Sequence, residues 1–153
     1  MGLEKDIQQS KFRNEWLKAS VNLLFTSNWV LEYQKRHFDR GGLTPQQYNI
    51  LRILKGSKTP LSTAKIREKM LDKMSDAGRI VDRLIVKGIV EKRVNKFDKR
   101  LVDITISQKG RELIDWMDNY THELDDATDN LTIEEAQQLN ALLDKIREKS
   151  SED

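Results

Sequence analysis

The chain has 153 residues, of which 37% are hydrophobic and 34% are charged, and it contains no cysteine. This length supports one hydrophobic core, and two independent domains would be cramped. The lack of cysteine excludes disulfides, thiolate metal sites and thiol-based redox sensing. No stretch approaches the roughly 20 apolar residues of a membrane span. The first residues are polar and do not resemble a signal peptide. We therefore expect a cytoplasmic protein without a membrane partner.

Charge is distributed unevenly along the chain, although the net charge is only +2. Residues 62–111 carry 14 Lys and Arg against 7 Asp and Glu, whereas residues 112–153 carry 3 against 13. A positively charged lobe attracts polyanions, and such clustering matters more than the average over the chain. The central segment is therefore the first candidate for contact with a nucleic acid.

Residues 3–40 contain no glycine or proline, which predicts one long helix, with a break near its middle left open. Its apolar side chains form three rows, namely Leu17, Leu24, Leu31 and Phe38; Trp16, Leu23 and Val30; and Val21, Phe25, Trp29 and Tyr33. A helix on the surface of a single subunit needs only one apolar stripe to pack against its own core. Because this helix has three apolar rows, we expect a partner subunit to cover the rows that the core leaves exposed.

Capping residues divide the next part of the chain into shorter helices. Thr44 is followed by Pro45 and Gln47, a pattern typical of a capped helix start. Ser62 is placed to cap a short helix that runs to about Met70. We expect Asp72 to cap a longer helix over residues 73–87, which Gly88 would terminate.

The pattern after Gly88 changes from helical spacing to alternation, which is typical of half-buried strands. In the first strand Val90, Lys92 and Val94 fall on one face and Glu91 and Arg93 on the other, and the second strand places Val102, Ile104 and Ile106 on one face. The loop of residues 95–100 between the strands holds three cationic residues and one acidic residue. The segment therefore predicts a basic β-hairpin.

Two further helices are predicted beyond the hairpin. Ser107 is expected to cap a long helix that runs to about Asn130. Thr132 and Glu135 form a capping-box pattern that starts the last helix. The apolar stripe of that helix consists of Leu139, Leu142, Leu143 and Ile146.

The order helix, short helix, turn, longer helix and hairpin predicts a winged helix-turn-helix. The fold class is thus mainly α with a small two- to three-stranded β-wing. The second helix of this motif enters the major groove of DNA, which makes Lys73, Ser75, Asp76 and Arg79 candidate readers of base edges. Candidate phosphate contacts begin the preceding helix or lie in the wing; they are Ser62, Thr63, Lys65, Lys96, Lys99 and Arg100.

Four segments in order resemble motifs of the MarR family over nearly the whole chain. Residues 43–51 resemble its "LTxxQaxxL" segment, and residues 79–90 resemble "RLVDRLxxxGLV". Asp98-Lys99-Arg100 resembles the "DxR" motif of the wing, and residues 107–113 resemble "TxxGxxL". The chain is thereby identified as similar to dimeric winged-helix transcriptional regulators.

The resemblance implies one domain over residues 1–153, with a DNA-binding lobe at 44–106 and dimerisation helices at 3–40 and 107–149. It implies a homodimer that binds a pseudo-palindromic double-stranded DNA operator, as a repressor close to the bacterial or archaeal nucleoid. Arg100 matches the wing arginine that enters the minor groove, and Asp98 matches the acid that positions it. The expected dimer interface includes Leu17, Leu24, Leu31, Leu139, Leu142, Leu143 and Ile146.

Many members of this family release DNA when a small aromatic or anionic effector binds between the two lobes. We expect no cofactor, and no metal site, because the acidic residues around His122 and Glu123 are more typical of a solvated helix face. The chain has none of the P-loop, dinucleotide-binding, nucleophile-elbow or zinc-protease motifs, so we do not expect an enzyme.

Gly78 replaces the Thr or Ser usual in the family. The alternative is a protein-interaction module that keeps the winged helix without reading DNA.

Overall fold

The structure is a computed structural model that describes residues 2–151, and this part of the chain contains nine α-helices and one β-hairpin. The elements are α1 (Leu3–Asp6), α2 (Glu15–Tyr33), α3 (Lys35–Arg40), α4 (Pro45–Gly56), α5 (Thr63–Lys69), α6 (Ala77–Val86), β1 (Val90–Val94), β2 (Val102–Ile106), α7 (Gln108–Met117), α8 (His122–Asp125) and α9 (Ile133–Arg147). Short 3₁₀ turns follow α7 and α9. The predicted fold class, mainly α with a small β-wing, is confirmed.

The prediction of one long helix over residues 3–40 is wrong in its continuity. α1 ends at Asp6, and Gln8 has a left-handed backbone with φ of 55°. Asn14 then caps α2, because its side chain accepts a hydrogen bond from the backbone N–H of Leu17 at 2.9 Å. Asn favours this capping position over a helix interior, so a stretch without Gly or Pro still contains a helix start.

The other predicted helix starts agree with the structure at four positions. The pairs Thr44–Gln47 and Thr132–Glu135 form complete capping boxes at the starts of α4 and α9. Ser62 and Ser107 cap α5 and α7. These side chains satisfy backbone N–H groups that have no partner inside the helix.

The predicted start of the longer helix at residue 73 is wrong, because Asp76 rather than Asp72 provides the cap. Asp76 Oδ1 accepts from the backbone N–H of Arg79 at 3.1 Å. Asp72 instead accepts from the backbone N–H of Met74 at 3.0 Å within a turn. Ala77 is fully buried and begins the inward face of α6. The burial of this face decides between two aspartates that are both suited to capping.

The hairpin pairs β1 with β2 antiparallel, from Val90 opposite Ile106 to Val94 opposite Val102. Leu61 forms an isolated bridge with Ile104 and adds a third, single-residue strand at the base. The predicted inward face of β2 is confirmed at Ile104 and Ile106, which are both buried. In β1 only Val90 is buried, because the hairpin extends beyond the core and leaves its outer half exposed on both faces.

α7 begins against the base of the hairpin and fixes the end of α6. Ser107 Oγ donates to the carbonyl of Gly88 at 2.7 Å, and Lys109 Nζ donates to that of Lys87 at 3.0 Å. A Cβ at Gly110 would lie 2.2 Å from the carbonyl oxygen of Ile89, so only glycine permits this approach. The helix predicted to run to Asn130 ends at Met117, and a 3₁₀ turn leads from it to α8.

The hydrophobic core lies in the segment from the end of α3 to α7. Fully or almost fully buried side chains come from every element of that segment, and they include Ile50, Leu51, Ile66, Leu84, Ile104 and Ile114. In contrast, no residue of α2 or α9 is buried. No helix within residues 2–151 is both long and apolar enough to cross a membrane.

Candidate nucleic-acid interface

The loop at the tip of the hairpin, residues 95–100, is fixed by the side chain of Asn95. Asn95 Oδ1 accepts from the backbone N–H groups of Phe97 at 2.9 Å and Asp98 at 2.8 Å. The amide of Asn95 donates to Asp103 Oδ1 on β2 at 3.0 Å. An Asn that bonds the backbone two residues ahead stabilises a turn. The basic loop therefore has a defined conformation.

Asp98 and Arg100 form a forked ion pair within this loop. Arg100 donates from Nε to Asp98 Oδ1 at 3.1 Å and from Nη2 to Asp98 Oδ2 at 3.0 Å, and its backbone N–H also donates to Oδ1 at 3.0 Å. These bonds hold the pKa of Asp98 below its usual value. The arginine side chain is nevertheless 89% exposed. Its orientation is set by a two-point contact, and it faces solvent.

On α6, Arg79 is exposed, and the Asp76 carboxylate is engaged with the backbone at the helix start. A side chain at Gly78 would meet only ordinary contacts, with its Cβ 3.6 Å from Asp76 Oδ1. Packing therefore does not require glycine at this position. Gly78, where members of the resembled family usually have Thr or Ser, lies on the first turn of α6.

The remaining residues predicted to contact DNA differ in whether their side chains already have partners within the chain. Lys73 and Ser75 lie in the loop before α6, and Lys73 Nζ donates to backbone carbonyls at the end of α5, including that of Arg67 at 3.3 Å. Lys65 is paired with Glu68 at 3.0 Å on the surface. Lys96 and Lys99 are exposed in the wing, and the half-buried Ser62 and Thr63 begin α5 beside the bridge of Leu61 to β2.

Sequence reasoning missed a buried ionic cluster between α3 and α8, because it assigned Glu123 to a solvated acidic face. The Glu123 carboxylate is 3% exposed and accepts a forked pair of hydrogen bonds from Arg40 at 2.7 and 2.9 Å. Arg36 Nη2 lies 2.9 Å from the same carboxylate. The bonds from Arg40 lower the pKa of Glu123 to about 2. No group of three or more metal-binding side chains occurs in the described residues.

A groove of about 1000 Å³ lies between α2, α4 and α9. Its accessible surface is mostly apolar, and Tyr48, Arg52 and Asp72 are among the polar residues that line it. The Tyr48 hydroxyl is buried and, within the described chain, has no hydrogen-bond partner. Burial raises the pKa of Tyr48. Tyr48 thus lines the groove with its hydroxyl buried, and Arg52 in the same wall is paired with Asp118 at 2.7 Å.

The elements between α4 and β2 have the order and packing of a winged helix-turn-helix protein. A model of the MarR family matches residues 41–101. A curated relative, the HTH-type transcriptional regulator BilQ of Clostridium symbiosum, is 35% identical over 71 residues, 46% of this chain and 49% of the relative. The chain therefore spans about half the length of the curated relative that it matches.

Solved structures extend the likeness over most of the chain. A mutant MarR from E. coli complexed with operator DNA has a TM-score of 0.77 at 22% identity, with 90% of this chain and 99% of that chain covered. An organohalide-sensing transcriptional regulator in its 2,4-dichlorophenol bound form has a TM-score of 0.81 at 17% identity, with 92% and 86% covered. At these identities the likeness establishes the fold. The family model and these structures together make the chain similar to MarR-family proteins, with the sequence match confined to residues 41–101.

Proposed function

We propose that the protein is a transcriptional regulator that binds double-stranded DNA as a homodimer and responds to a small ligand. The observation that carries the proposal is the forked contact between Asp98 and Arg100 in an exposed basic loop. A guanidinium that is fixed in direction but almost fully solvated is ready for a partner outside the chain. The neighbouring cations Lys96 and Lys99 make that partner a polyanion.

The position of the wing relative to α6 supports DNA as the polyanion. Lys92 Nζ on β1 lies 4.0 Å from Asp82 Oδ1 on α6, so the two elements are adjacent. A recognition helix in the major groove places such a neighbour over the flanking backbone and minor groove. Arg79 would then reach base edges from α6, and Arg100 would enter the minor groove. The structurally similar mutant MarR from E. coli is itself complexed with operator DNA.

Exposed apolar side chains on α2 and α9 support the homodimer. Trp16 is 82% exposed and Leu24 is 69% exposed on α2, and Leu142 is 60% exposed on α9. Of the other expected interface residues, Leu17, Leu31, Leu139 and Ile146 are exposed and Leu143 is half-buried. Large apolar side chains exposed in this number on two helices favour an association site. A second copy would bury the rows of α2 that the core of one chain leaves uncovered.

The groove beside Tyr48 supports a response to ligand. Its mostly apolar surface suits an aromatic ring, and Arg52, which lines it and is paired with Asp118 at 2.7 Å, supplies a cation that suits a carboxylate. Leu71 and Asp72 form part of the same wall and lie in the loop before α6. A small aromatic acid in the groove would therefore contact the segment that positions the recognition helix. A screen of such acids for release of bound DNA tests this part of the proposal.

The decisive experiment is a fluorescence-anisotropy titration with DNA from upstream of the protein's own gene, between 50 and 200 mM salt. Arg100→Ala should weaken binding to every duplex and lower the slope of log affinity against log salt by about one unit per wing engaged. Lys145→Ala, which removes an exposed cation of α9, is the matched control and should change neither quantity. An unchanged slope for Arg100→Ala would contradict the assignment of the wing.

The same titration separates this proposal from a protein-interaction module. Wild-type protein that shows no salt-dependent binding to any duplex at low ionic strength would favour the module. Binding that weakens steeply with salt would support DNA as the partner, because each neutralised phosphate releases counterions.

A further inference from the structure

Phe97 lies at the tip of the wing with its side chain 98% exposed. A phenylalanine gains roughly 1.5–3 kcal/mol from full burial, so leaving it in water forgoes that stabilisation. Single exposed aliphatic residues are common on protein surfaces. Phe97 differs from them because it is aromatic, almost fully exposed and placed in the middle of the basic loop.

The backbone position of Phe97 is fixed by hydrogen bonds within the loop. Its backbone N–H donates to Asn95 Oδ1 at 2.9 Å, and Asn95 is tied in turn to Asp103 of β2. An aromatic side chain has only two rotatable bonds, so little conformational entropy is lost when it is covered. The turn thus presents an apolar group at low entropic cost.

The charges around Phe97 indicate what kind of partner surface would cover its ring. Lys96, Lys99 and Arg100 are exposed around it, and the acid of the loop, Asp98, is paired with Arg100. The covering surface must combine negative charge with an apolar wall a few ångströms away. The minor groove of DNA has this combination, because phosphates line its rims and deoxyribose rings form its walls.

We propose that Phe97 enters the minor groove together with Arg100 and packs on deoxyribose and base edges as an apolar wedge. This inference rests on the proposed function and adds a second wing residue to it, with a different physical role. Arg100 supplies charge, and Phe97 supplies contact area. Insertion of the ring would require a minor groove that can open to admit it. Because the energy needed to deform DNA depends on its sequence, Phe97 and Arg100 together would favour some DNA sites over others.

The two residues have distinguishable signatures in a salt titration. Covering Phe97 neutralises no phosphate, so its loss lowers affinity without changing the dependence on salt. Covering about 60 Å² of apolar surface corresponds to about a tenfold change in affinity for each wing. Removal of Arg100 instead changes the slope itself. One measurement therefore separates an apolar contact from an ionic contact.

The experiment compares wild type, Phe97→Ala, Phe97→Leu and Arg100→Ala on a 30-base-pair duplex selected by the wild-type protein from a random pool. Phe97→Ala should bind about tenfold more weakly per wing with the wild-type salt slope, and Phe97→Leu should recover part of the loss. Val86→Ala removes another apolar side chain, which is 88% exposed at the end of α6, and should bind as wild type. Thermal unfolding should match wild type in both Phe97 variants because the side chain makes no core contact.

Each outcome decides the inference. Unchanged affinity of Phe97→Ala, with wild-type binding intact, would overturn it and leave the proposed function standing. Absence of any wild-type binding would overturn both. If Phe97→Ala instead abolishes sedimentation with phosphatidylglycerol vesicles while DNA affinity is unchanged, the ring contacts an anionic membrane and the inference is also overturned.

Discussion

Replacement of Glu123 by Gln tests the buried ionic cluster that joins α3 to α8. The change keeps the volume and removes the charge that faces Arg40 at 2.7 Å and Arg36 at 2.9 Å. In the folded protein the pKa of Glu123 falls from 4.5 to about 2. A shift of this size corresponds to about 3 kcal/mol of folding free energy, and partial exposure of the two arginines reduces it to about 2–3 kcal/mol.

The sign of the pH dependence follows from the lowered pKa. The stabilisation is fully present above the unfolded pKa of 4.5 and is lost as the pH falls through the folded value of about 2. At pH 7, Glu123→Gln should therefore lower the free energy of unfolding by about 2–3 kcal/mol. By pH 3 less than about half of that difference should remain.

Urea unfolding at pH 7, 5, 4 and 3, at one fixed protein concentration, measures this difference. The matched control is Glu68→Gln, which breaks the exposed pair with Lys65 at 3.0 Å and should cost less than about 0.5 kcal/mol. A Glu123→Gln effect that is equally large at pH 7 and pH 3 would refute the linkage argument. An effect no larger than that of Glu68→Gln would refute the assignment of a buried ion pair.

Three further outcomes are expected. Gly110→Ala should lower the free energy of unfolding by about 2–3 kcal/mol in urea, because its Cβ would lie 2.2 Å from the carbonyl oxygen of Ile89; wild-type stability would contradict the close approach of α7 to the hairpin. If the proposed dimer forms through α9, Leu142→Glu should convert it to a monomer in light scattering at micromolar concentration with an unchanged circular dichroism spectrum, and a persisting dimer would exclude this face of α9. Arg79→Ala should reduce the ratio of specific to random-duplex affinity by about 1–3 kcal/mol, whereas an equal loss on both duplexes would identify a phosphate contact.

Local chemistry made the helix starts and the wing predictable from the sequence. Thr44, Ser62 and Ser107 cap their helices through contacts within three residues, and such contacts can be inferred without knowledge of the fold. The contact of Arg100 with Asp98 was implied by the family resemblance, and it too is local, since the two residues are two positions apart in the sequence.

The features that escaped prediction depend on contacts between distant segments. Whether Asp72 or Asp76 caps α6 was decided by the burial of Ala77 in the core. Glu123 is 83 residues from Arg40, and in the sequence it is one acid among many. The sequence places Phe97 in the basic loop, but only the structure shows that no other part of the described chain covers its side chain.

The hydrogen bonds between the end of α6 and the start of α7 constrain how the proposed dimer would fit an operator. The carbonyl groups of Lys87 and Gly88 are held by Lys109 and Ser107, and Gly110 lets the helix start press against Ile89. These contacts couple the orientation of α6 to that of α7. In the proposed dimer, a change in the angle between subunits would alter the separation of the two α6 helices directly. Since half-sites lie about 34 Å apart on one face of DNA, release of the operator would require only a misfit in spacing, with each DNA-binding lobe left intact.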